Sequence, residues 1–209
     1  EFFSIMPTNL YGPNDNYNLE TSHVLPALIR KIHLGKALEN NNWDAIRADL
    51  NKKPIMGIDG TASQDAMEQL LKKNGFSFRA NNSSFIIDSS SVKITLWGTG
   101  KPLREFLHVD DLAGACVFLM KELDADELID ENISHLNAGS GEEIEIHDLA
   151  ELIKNIIGYK GKLEFGVSKP DGTPRKLLDS TRLNAKGWTR AISLEYGLVS
   201  TYIGFKNRH

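Results

Sequence analysis

Short apolar segments alternate along this chain with segments whose apolar residues recur at helical spacing. The last third shows the pattern most clearly. An apolar stretch at 134–138 leads into the turn formers 139–141, and apolar residues then recur at helical spacing over 146–157. Strands that alternate with helices in this way are typical of parallel sheets covered by helices. The sequence therefore predicts an α/β fold.

The same patterns predict the remaining elements. We expect further strands at 2–6, 92–97, 104–109 and 162–165, and further helices from about 22 to 35, 61 to 74, 110 to 119 and 193 to 205. The expected helix N-caps are Ser22, Thr61 and Asp110. Gly35 is the expected end of the first helix. The first strand is largely apolar, which predicts that it is buried.

Composition excludes several classes of protein. The 209 residues carry 24 Lys and Arg against 28 Asp and Glu, and the basic residues are scattered, so we expect no nucleic-acid partner. The single cysteine, Cys116, excludes an internal disulfide and a cysteine zinc cluster, so we expect no metal site and a reducing compartment, the cytoplasm. No apolar run approaches the roughly 20 residues of a membrane helix. Because the chain opens at Glu1 and enters a strand almost at once, we interpret it as a piece of a longer protein.

Polar residues that suit an anionic ligand gather where elements are expected to end. They form four clusters: 7–16; His23 with Arg30 and Lys31; Trp97 with Arg104; and Asp171 with Arg175 and Lys176. Arginine offers a planar fork to phosphate oxygens, lysine a mobile point charge, and an indole a flat platform for a base or sugar. A diphosphate sugar would use all three. Taken singly, each cation is more often a solvated surface charge, and an isolated Trp is more often part of the core.

His23 stands at the expected start of a helix. The positive end of the helix dipole disfavours a positive charge on its ring, so His23 could exchange a proton near neutral pH. The alternative is a histidine that only closes the helix N-terminus. On a helical wheel, Arg30 shares the face of His23 more closely than Lys31 does.

Four runs, in order, resemble the GDP-L-fucose synthases, which are extended short-chain dehydrogenases. They are Met-Pro-Thr-Asn-Leu-Tyr-Gly-Pro-Asn-Asp-Asn at 6–16, Ser-His-Val-Leu-Pro-Ala-Leu-Ile-Arg-Lys at 22–31, Trp-Gly-Thr-Gly-Lys-Pro-Leu-Arg-Glu-Phe-Leu-His-Val-Asp-Asp at 97–111, and Ser-Lys-Pro-Asp-Gly-Thr-Pro-Arg-Lys-Leu-Leu-Asp at 168–179. The resemblance implies the C-terminal, substrate-binding part of a Rossmann-type enzyme. It divides the chain into a late Rossmann strand, loop and helix (1–39), a partly helical insertion (40–91), and a substrate-binding α/β domain (92–209).

The resemblance also implies a reaction and roles for single residues. The expected activity is epimerisation of GDP-4-keto-6-deoxy-D-mannose at C3 and C5, followed by NADPH-dependent reduction at C4. The roles it gives are an acid or base for His23, contacts to NADP(H) for Pro7, Thr8, Asn9, Leu10 and His23, and contacts to the GDP-sugar for Lys31, Trp97, Arg104 and Asp171. The N-terminal half of such enzymes holds most of the cofactor, so we expect this chain alone to be inactive, and a homodimer when it is full length. Two alternatives stay open: another nucleotide-sugar epimerase or dehydratase, and a non-catalytic sugar-nucleotide binding module.

Two motifs do not fit that scheme. Tyr202 and Lys206 have the Tyr-x-x-x-Lys spacing of short-chain dehydrogenases, but they follow every expected strand. The glycine pairs at 98–100 and 139–141 lack the third glycine of a dinucleotide fingerprint. We expect neither motif to bind NADP. For the segment 40–91, a structural flap or an interface element is favoured over new chemistry.

Overall fold

Parallel strand pairing dominates the computed structural model, which describes residues 4–79, 86–123, 133–167 and 170–208. The elements in chain order are β1 (Ser4–Pro7), β2 (Asn9–Tyr11), α1 (Val24–Glu39), α2 (Trp43–Lys52), α3 (Gln64–Lys73), β3 (Phe76–Ser77), a 3-10 turn (Ser89–Ser91), β4 (Lys93–Trp97), β5 (Leu103–His108), α4 (Val109–Glu122), β6 (His135–Ala138), β7 (Glu143–Glu145), α5 (Ile146–Ile157), β8 (Lys162–Gly166), β9 (Arg175–Lys176), α6 (Thr181–Ala185) and α7 (Leu194–Arg208). No helix within these ranges combines the length and the apolar character needed to cross a membrane.

The strands form three small sheets. β1 pairs in parallel with β6, and β4 pairs in parallel with β8 and antiparallel with β3. In the third sheet, β5 pairs in parallel with β2 and β9 and antiparallel with β7. Mixed helices and mainly parallel strands confirm the predicted α/β fold. The carboxyl ends of β1 and β6 lie side by side, and the backbone N–H of Thr8 donates to the carbonyl of Ala138 just beyond them.

Two apolar clusters hold these layers together. In the larger one, α1 packs against α2, α5 and β4, and it buries residues that recur at helical spacing, Leu25, Leu28, Ile29 and Ile32. The smaller cluster joins β5, α4, β6 and α6. Its buried members are Leu107, Ala115, Leu119, Leu136, Ala138, Leu183 and Trp188.

The segment 40–91 contributes to the larger cluster. α2 and α3 bury Ile46, Leu50, Met67, Leu70 and Leu71 in it, and β3 extends the sheet of β4. The helix from Gln64 is the one expected from the apolar pattern, whereas α2 is not predicted from the sequence. Treating the segment as an insertion stays a prediction, but its side chains share one core with α1.

The predicted end of the first helix is wrong. α1 continues through Gly35 to Glu39. A Cβ atom at position 35 would lie 2.5 Å from Cδ1 of Ile94 and 3.4 Å from Cε2 of Tyr159. Glycine is therefore needed inside this helix because α1 lies close against β4, and it does not end the helix.

The three predicted N-caps are also wrong, each by one or two residues. The N-cap of α1 is His23, and Ser22 lies in the turn before it. Ser63 caps α3 by accepting from the backbone N–H of Ala66 at 3.3 Å. The hydroxyl of Thr61 donates instead to Asp59 Oδ1 at 2.6 Å. α4 begins at Val109, because Nδ1 of His108 accepts from the backbone N–H of residue 110 at 3.2 Å.

The predicted burial of the first strand is wrong where the structure describes it. Residues 2 and 3 lie outside the described residues. The remainder, β1, is largely exposed, and 51% of Met6 is accessible to solvent. Within the described ranges β1 pairs with β6 alone, so its apolar residues are not covered by a second strand.

Candidate functional site

A cavity of about 270 Å³ opens between the first half of α1 and the end of β4. Lys31 supplies its charge and Trp97 its aromatic wall. The other lining residues are Leu19, Ser22, Val24, Ala27, Leu28, Leu96 and Ile146. Lys31 Nζ lies 5.8 Å from the centroid of the Trp97 ring, within the range of a cation–π interaction. Two of the four residues expected to contact the substrate therefore lie together, although they are 66 positions apart in the sequence.

The surroundings of Lys31 are largely apolar. Burial lowers the pKa of its ammonium group to about 8, because the charged form loses solvation there. Trp97, in contrast, is 71% exposed. An indole face open to solvent beside a partly buried cation can stack on a planar or sugar ring and attract an adjacent anionic group.

Asp171 and Arg104 continue this surface beyond Trp97. Asp171 Oδ1 accepts from the backbone N–H of Thr99 at 2.8 Å, and Oδ2 accepts from its hydroxyl at 2.6 Å. These two hydrogen bonds hold the pKa of Asp171 below its usual range. The next residue, Gly172, lies against Arg104, since a Cβ atom there would be 3.2 Å from Arg104 Nη2. The four predicted substrate residues therefore lie along one surface.

His23 lies next to the cavity. Its neighbours Ser22 and Val24 both line it, and His23 itself is exposed at the N-cap of α1. Its side chain makes no capping hydrogen bond to the helix. The ring is therefore not needed to close the helix N-terminus, and it remains accessible from solvent beside the cavity.

The segment 7–10 is held by β5 and β6. Asn9 Nδ2 donates to the backbone carbonyl of Glu105 at 2.8 Å, and the hydroxyl of Thr8 donates to the same carbonyl at 3.4 Å. Pro7 is exposed, whereas Leu10 is half-buried. This arrangement fits a rigid wall for a nicotinamide ring, formed by backbone and by Pro7. It does not by itself provide donors for the cofactor phosphates.

Two cations of the predicted clusters are engaged elsewhere. Arg30 is fully buried, and its Nη2 lies 2.7 Å from Asp49 Oδ2. Its Nη1 donates to the carbonyl of Tyr17 at 3.1 Å. The expectation that Arg30 belongs with His23 in a ligand site is therefore wrong. Arg175 forms a two-pronged ion pair with Glu143, with Nε 2.9 Å from each carboxylate oxygen.

The residue that connects these segments, Glu105, is missed by the sequence analysis. Its fully buried carboxylate accepts from the backbone N–H of Gly141 at 2.8 Å and from that of Leu178 at 3.1 Å. An acid followed directly by apolar residues inside an expected strand, Leu-Arg-Glu-Phe-Leu, is the signal that could have found it. No group of three or more His, Cys, Asp or Glu within the described ranges is placed to hold a metal ion.

Comparison with known proteins agrees with this architecture. The model of the NAD dependent epimerase/dehydratase family matches residues 1–66 and 78–138, which is more than half of the chain. The chain belongs to this family.

Curated relatives of this epimerase/dehydratase-family chain include a putative GDP-L-fucose synthase 2 of Arabidopsis thaliana, 44% identical over 94% of the chain and 42% of that protein. The GDP-L-fucose synthase of Escherichia coli is 41% identical over 98% of the chain and 49% of its own length. Among solved structures, the GDP-mannoheptose C4 reductase of Campylobacter jejuni with NADP bound is similar at a TM-score of 0.77 and 32% identity, covering 98% of the chain and 53% of that protein. The chain thus spans less than half the length of the curated relatives named here.

Proposed function

We propose that the chain is the GDP-sugar-binding part of a GDP-L-fucose synthase, which epimerises GDP-4-keto-6-deoxy-D-mannose at C3 and C5 and reduces it at C4. The surface formed by Lys31, Trp97, Asp171 and Arg104 is the observation that carries this proposal. It combines a cation in an apolar cavity, an open indole face and a guanidinium, which are the groups a sugar nucleotide requires. The identities of 41–44% to relatives named GDP-L-fucose synthase support the same choice.

In this proposal each residue has a distinct task. Lys31 and Arg104 attract the diphosphate, and Trp97 offers its ring to the base or the sugar. Fixing the sugar nucleotide at several points holds the reacting carbons at a constant distance from the acid and base groups.

His23 acts as one of the acid/base groups in the epimerisation. The two carbons flank a ketone, so their protons are acidic enough for a positioned base to remove them, and a positioned acid can return them on the opposite face. His23 is exposed beside the cavity and its ring is not bonded to the helix end, so it can exchange protons with a bound sugar.

NADPH, when bound, supplies the hydride for reduction at C4. In this chain, Pro7, Thr8, Asn9, Leu10 and His23 would lie against its nicotinamide end. The hydrogen bonds from Thr8 and Asn9 to the Glu105 carbonyl keep that wall rigid. The groups that hold the rest of the cofactor belong to the part of the relatives that this chain does not span, so we expect no turnover from the chain alone.

The proposal extends to assembly and location. We expect the full-length protein to be a cytoplasmic homodimer, as the family resemblance implies. Sedimentation of the full-length protein tests the assembly, and a monomer at micromolar concentration would contradict it.

Calorimetric titration of the purified chain with GDP, UDP and NADPH in separate runs tests the binding function. We expect weak binding of GDP, weaker binding of UDP, and no binding of NADPH. Arg104→Ala and Trp97→Ala should each abolish the GDP signal, whereas Lys121→Ala, which removes an exposed lysine of α4, should leave it unchanged. Preference for UDP, or no binding of either nucleotide by a folded chain, would contradict the proposal.

A second candidate is a C4 reductase acting on a GDP-heptose. The similarity to the GDP-mannoheptose C4 reductase of Campylobacter jejuni favours it. Both candidates share the GDP site, so calorimetry with GDP does not separate them. Incubating the full-length protein with each GDP-keto-sugar and NADPH, and following proton exchange at C3 and C5 by NMR, does separate them, because a reductase without epimerase activity leaves those protons in place.

A further inference from the structure

Lys31 places a primary amine inside the apolar cavity between α1 and β4. We propose that Lys31 is a covalent modification site, at which its amine condenses with small aromatic aldehydes to form an imine. This chemistry goes beyond the proposed function, which uses Lys31 only as a positive charge. It requires the amine and the cavity alone, so it can be tested separately from the proposed GDP site.

The amine is held in place without a counter-charge. Its Nζ atom lies 5.8 Å from the centroid of the Trp97 ring. It also lies against the turn after α3, since a Cβ atom at Gly75 would be 3.6 Å from Nζ. Within the described ranges, no ion pair or hydrogen bond of Lys31 accompanies these contacts. An ammonium group in this place therefore loses hydration and gains only the attraction of the indole.

The cavity around the amine suits a small aromatic molecule. Apart from Ser22, Lys31 and Trp97, the residues that line it are aliphatic, and none of its described lining residues carries a carboxylate. Pockets for drug-sized ligands measure roughly 300–1,000 Å³, so a cavity of about 270 Å³ fits a ligand with a single ring. Such an aldehyde can stack on the exposed indole and present its carbonyl carbon to Nζ.

Condensation requires the amine in its neutral form. Because burial lowers the pKa of Lys31 to about 8, roughly a tenth of this amine is neutral at pH 7, compared with roughly one in 2,500 for an exposed lysine. The neutral nitrogen adds to the aldehyde carbon, and the C=N bond forms as water leaves with the aldehyde oxygen and the two amine hydrogens. The reaction consumes no oxidant or reductant. The imine fills the cavity, so it excludes a sugar nucleotide.

Reductive trapping with pyridoxal tests the site. The chain is incubated with less than one equivalent of pyridoxal at about pH 7.5, the imine is reduced with borohydride, and mass spectrometry quantifies the labelled peptides. We expect Lys31 to be labelled about tenfold faster than Lys121, an exposed lysine of α4. The neutral fraction favours Lys31 on the order of a hundredfold, and the weaker nucleophilicity of a less basic amine offsets part of this. Lys31→Arg keeps the charge and should carry no label at this position.

Ala27→Asp tests the role of the missing counter-charge. Residue 27 lines the cavity one helical turn before Lys31, so an aspartate there can pair with the ammonium group and raise its pKa. We expect the labelling of Lys31 to fall to the rate of Lys121. Ala27→Asn, which has nearly the same shape without the charge, should keep most of the wild-type rate. Equal slowing by both variants would overturn the inference, as would wild-type labelling of Lys31 no faster than that of Lys121.

Addition of GDP separates this inference from the proposed function. If both hold, a large excess of GDP should slow the labelling of Lys31 and leave that of Lys121 unchanged. Fast labelling of Lys31 that GDP does not slow would contradict the proposed GDP site and still support the modification site. Slow labelling of Lys31 in a chain that binds GDP would overturn the modification site and leave the proposed function standing.

Discussion

Lys31 loses its charge at a pH at which an ordinary lysine remains fully protonated. Because burial lowers its pKa to about 8, raising the pH through that value neutralises it, whereas an exposed lysine stays protonated to about pH 10. We therefore expect GDP affinity to fall as the pH rises from about 7 to 8.5, with loss of the Lys31 charge as the cause. Calorimetry across this range measures it.

Lys31→Arg provides the control for that prediction. A guanidinium remains charged at every pH in this range, so affinity in the variant should be nearly constant. Ionisation of the ligand itself is the same for both proteins and cancels in the comparison. A wild-type affinity that does not change with pH, or an equal decline in both proteins, would show that the Lys31 charge does not contribute to binding.

His33 couples α1 to α7 through a partly buried ring. Its Nδ1 lies 3.0 Å from the hydroxyl of Tyr202, and the ring meets Phe205 edge-on. Burial is the main reason why the pKa of His33 is lowered. Asp49 opposes the shift, and the positive charges of Lys206 and Arg30 reinforce it. The unfolded chain therefore binds a proton at this residue more readily than the folded protein does.

The sign of the resulting pH dependence follows from that difference. The contribution of His33 to the free energy of unfolding is complete above about pH 6.5 and is lost as the pH falls below that value. We expect His33→Gln to make stability less dependent on pH between about 6.5 and 5, as measured by urea unfolding. His135→Gln, at an exposed histidine, should keep the wild-type slope. Identical slopes for all three proteins would contradict the role given to His33.

The role of a single residue can be predicted from the sequence when its main contacts are to residues nearby in the chain, and it is missed when they are far away. The wheel argument groups Arg30 with His23, yet the structure pairs Arg30 with Asp49, 19 residues away in a segment interpreted as an insertion. Lys31 and Trp97 are candidates from their separate polar clusters, but only the family resemblance assigns both to the substrate, since no local pattern relates them. Glu105 is missed because its partners, Gly141 and Leu178, are 36 and 73 residues away.

Among the elements, the longer helices and strands are predicted, whereas α2 and several short elements are not. α3 and α5 present clear apolar faces, and both are found from the sequence. α2 is missed because its buried positions include a charged residue, Asp49, within a polar stretch. The short strands β7 and β9 and the helix α6 span only two to five residues each, too few to show a period.

The ion pair between α1 and α2 fixes the position of the segment 40–91. Arg30 and Asp49 are both almost fully buried, and Arg30 also donates to the backbone carbonyls of Tyr17 and Lys53. Asp49→Leu leaves a buried, unpaired guanidinium, so we expect it to lower the free energy of unfolding by about 3–5 kcal/mol. Urea unfolding checks this value.

Replacing both members of the ion pair separates the effect of burying an unpaired charge from the effect of lost packing. Arg30→Met combined with Asp49→Leu removes both charges, and we expect it to be clearly more stable than Asp49→Leu alone. A double variant as unstable as the sum of its single variants would show that the pair does not act as a unit.

The close approach of α1 to β4 depends on Gly35. Alanine gains about 1 kcal/mol in helix propensity over glycine, but overpacking a filled core costs about 1–3 kcal/mol. Because the new Cβ atom would lie 2.5 Å from Ile94 Cδ1, we expect Gly35→Ala to destabilise the protein by up to about 2 kcal/mol. In an Ile94→Val background, which lacks that Cδ1 atom, the same substitution should be neutral or stabilising in urea unfolding. Equal destabilisation in both backgrounds would show that another contact requires glycine.

Across the whole molecule, Glu105 joins segments that the sequence places far apart. Its backbone carbonyl receives Thr8 and Asn9 from the proposed cofactor wall, and its carboxylate receives the backbone N–H groups of Gly141 and Leu178. Gly139 also packs against it so closely that a Cβ atom there would collide with Oε1. Through its backbone carbonyl and its buried carboxylate, this one residue therefore ties the wall beside β1 to the turn after β6 and to the loop that follows β9.

Glu105→Gln tests this connection because it preserves the shape of the side chain and removes an acceptor. One of the two backbone N–H groups would then face an amide NH₂ in a buried site, and the charge-assisted bonds would be lost. We expect the free energy of unfolding to fall by about 2–4 kcal/mol. Glu122→Gln, at an exposed carboxylate of α4, should change it by less than about 0.5 kcal/mol. If the two variants unfold alike, the Glu105 carboxylate does not hold these segments together. If Glu105→Gln alone is unstable, amide hydrogen exchange should rise first at Gly141 or Leu178, whichever N–H group then faces the amide NH₂.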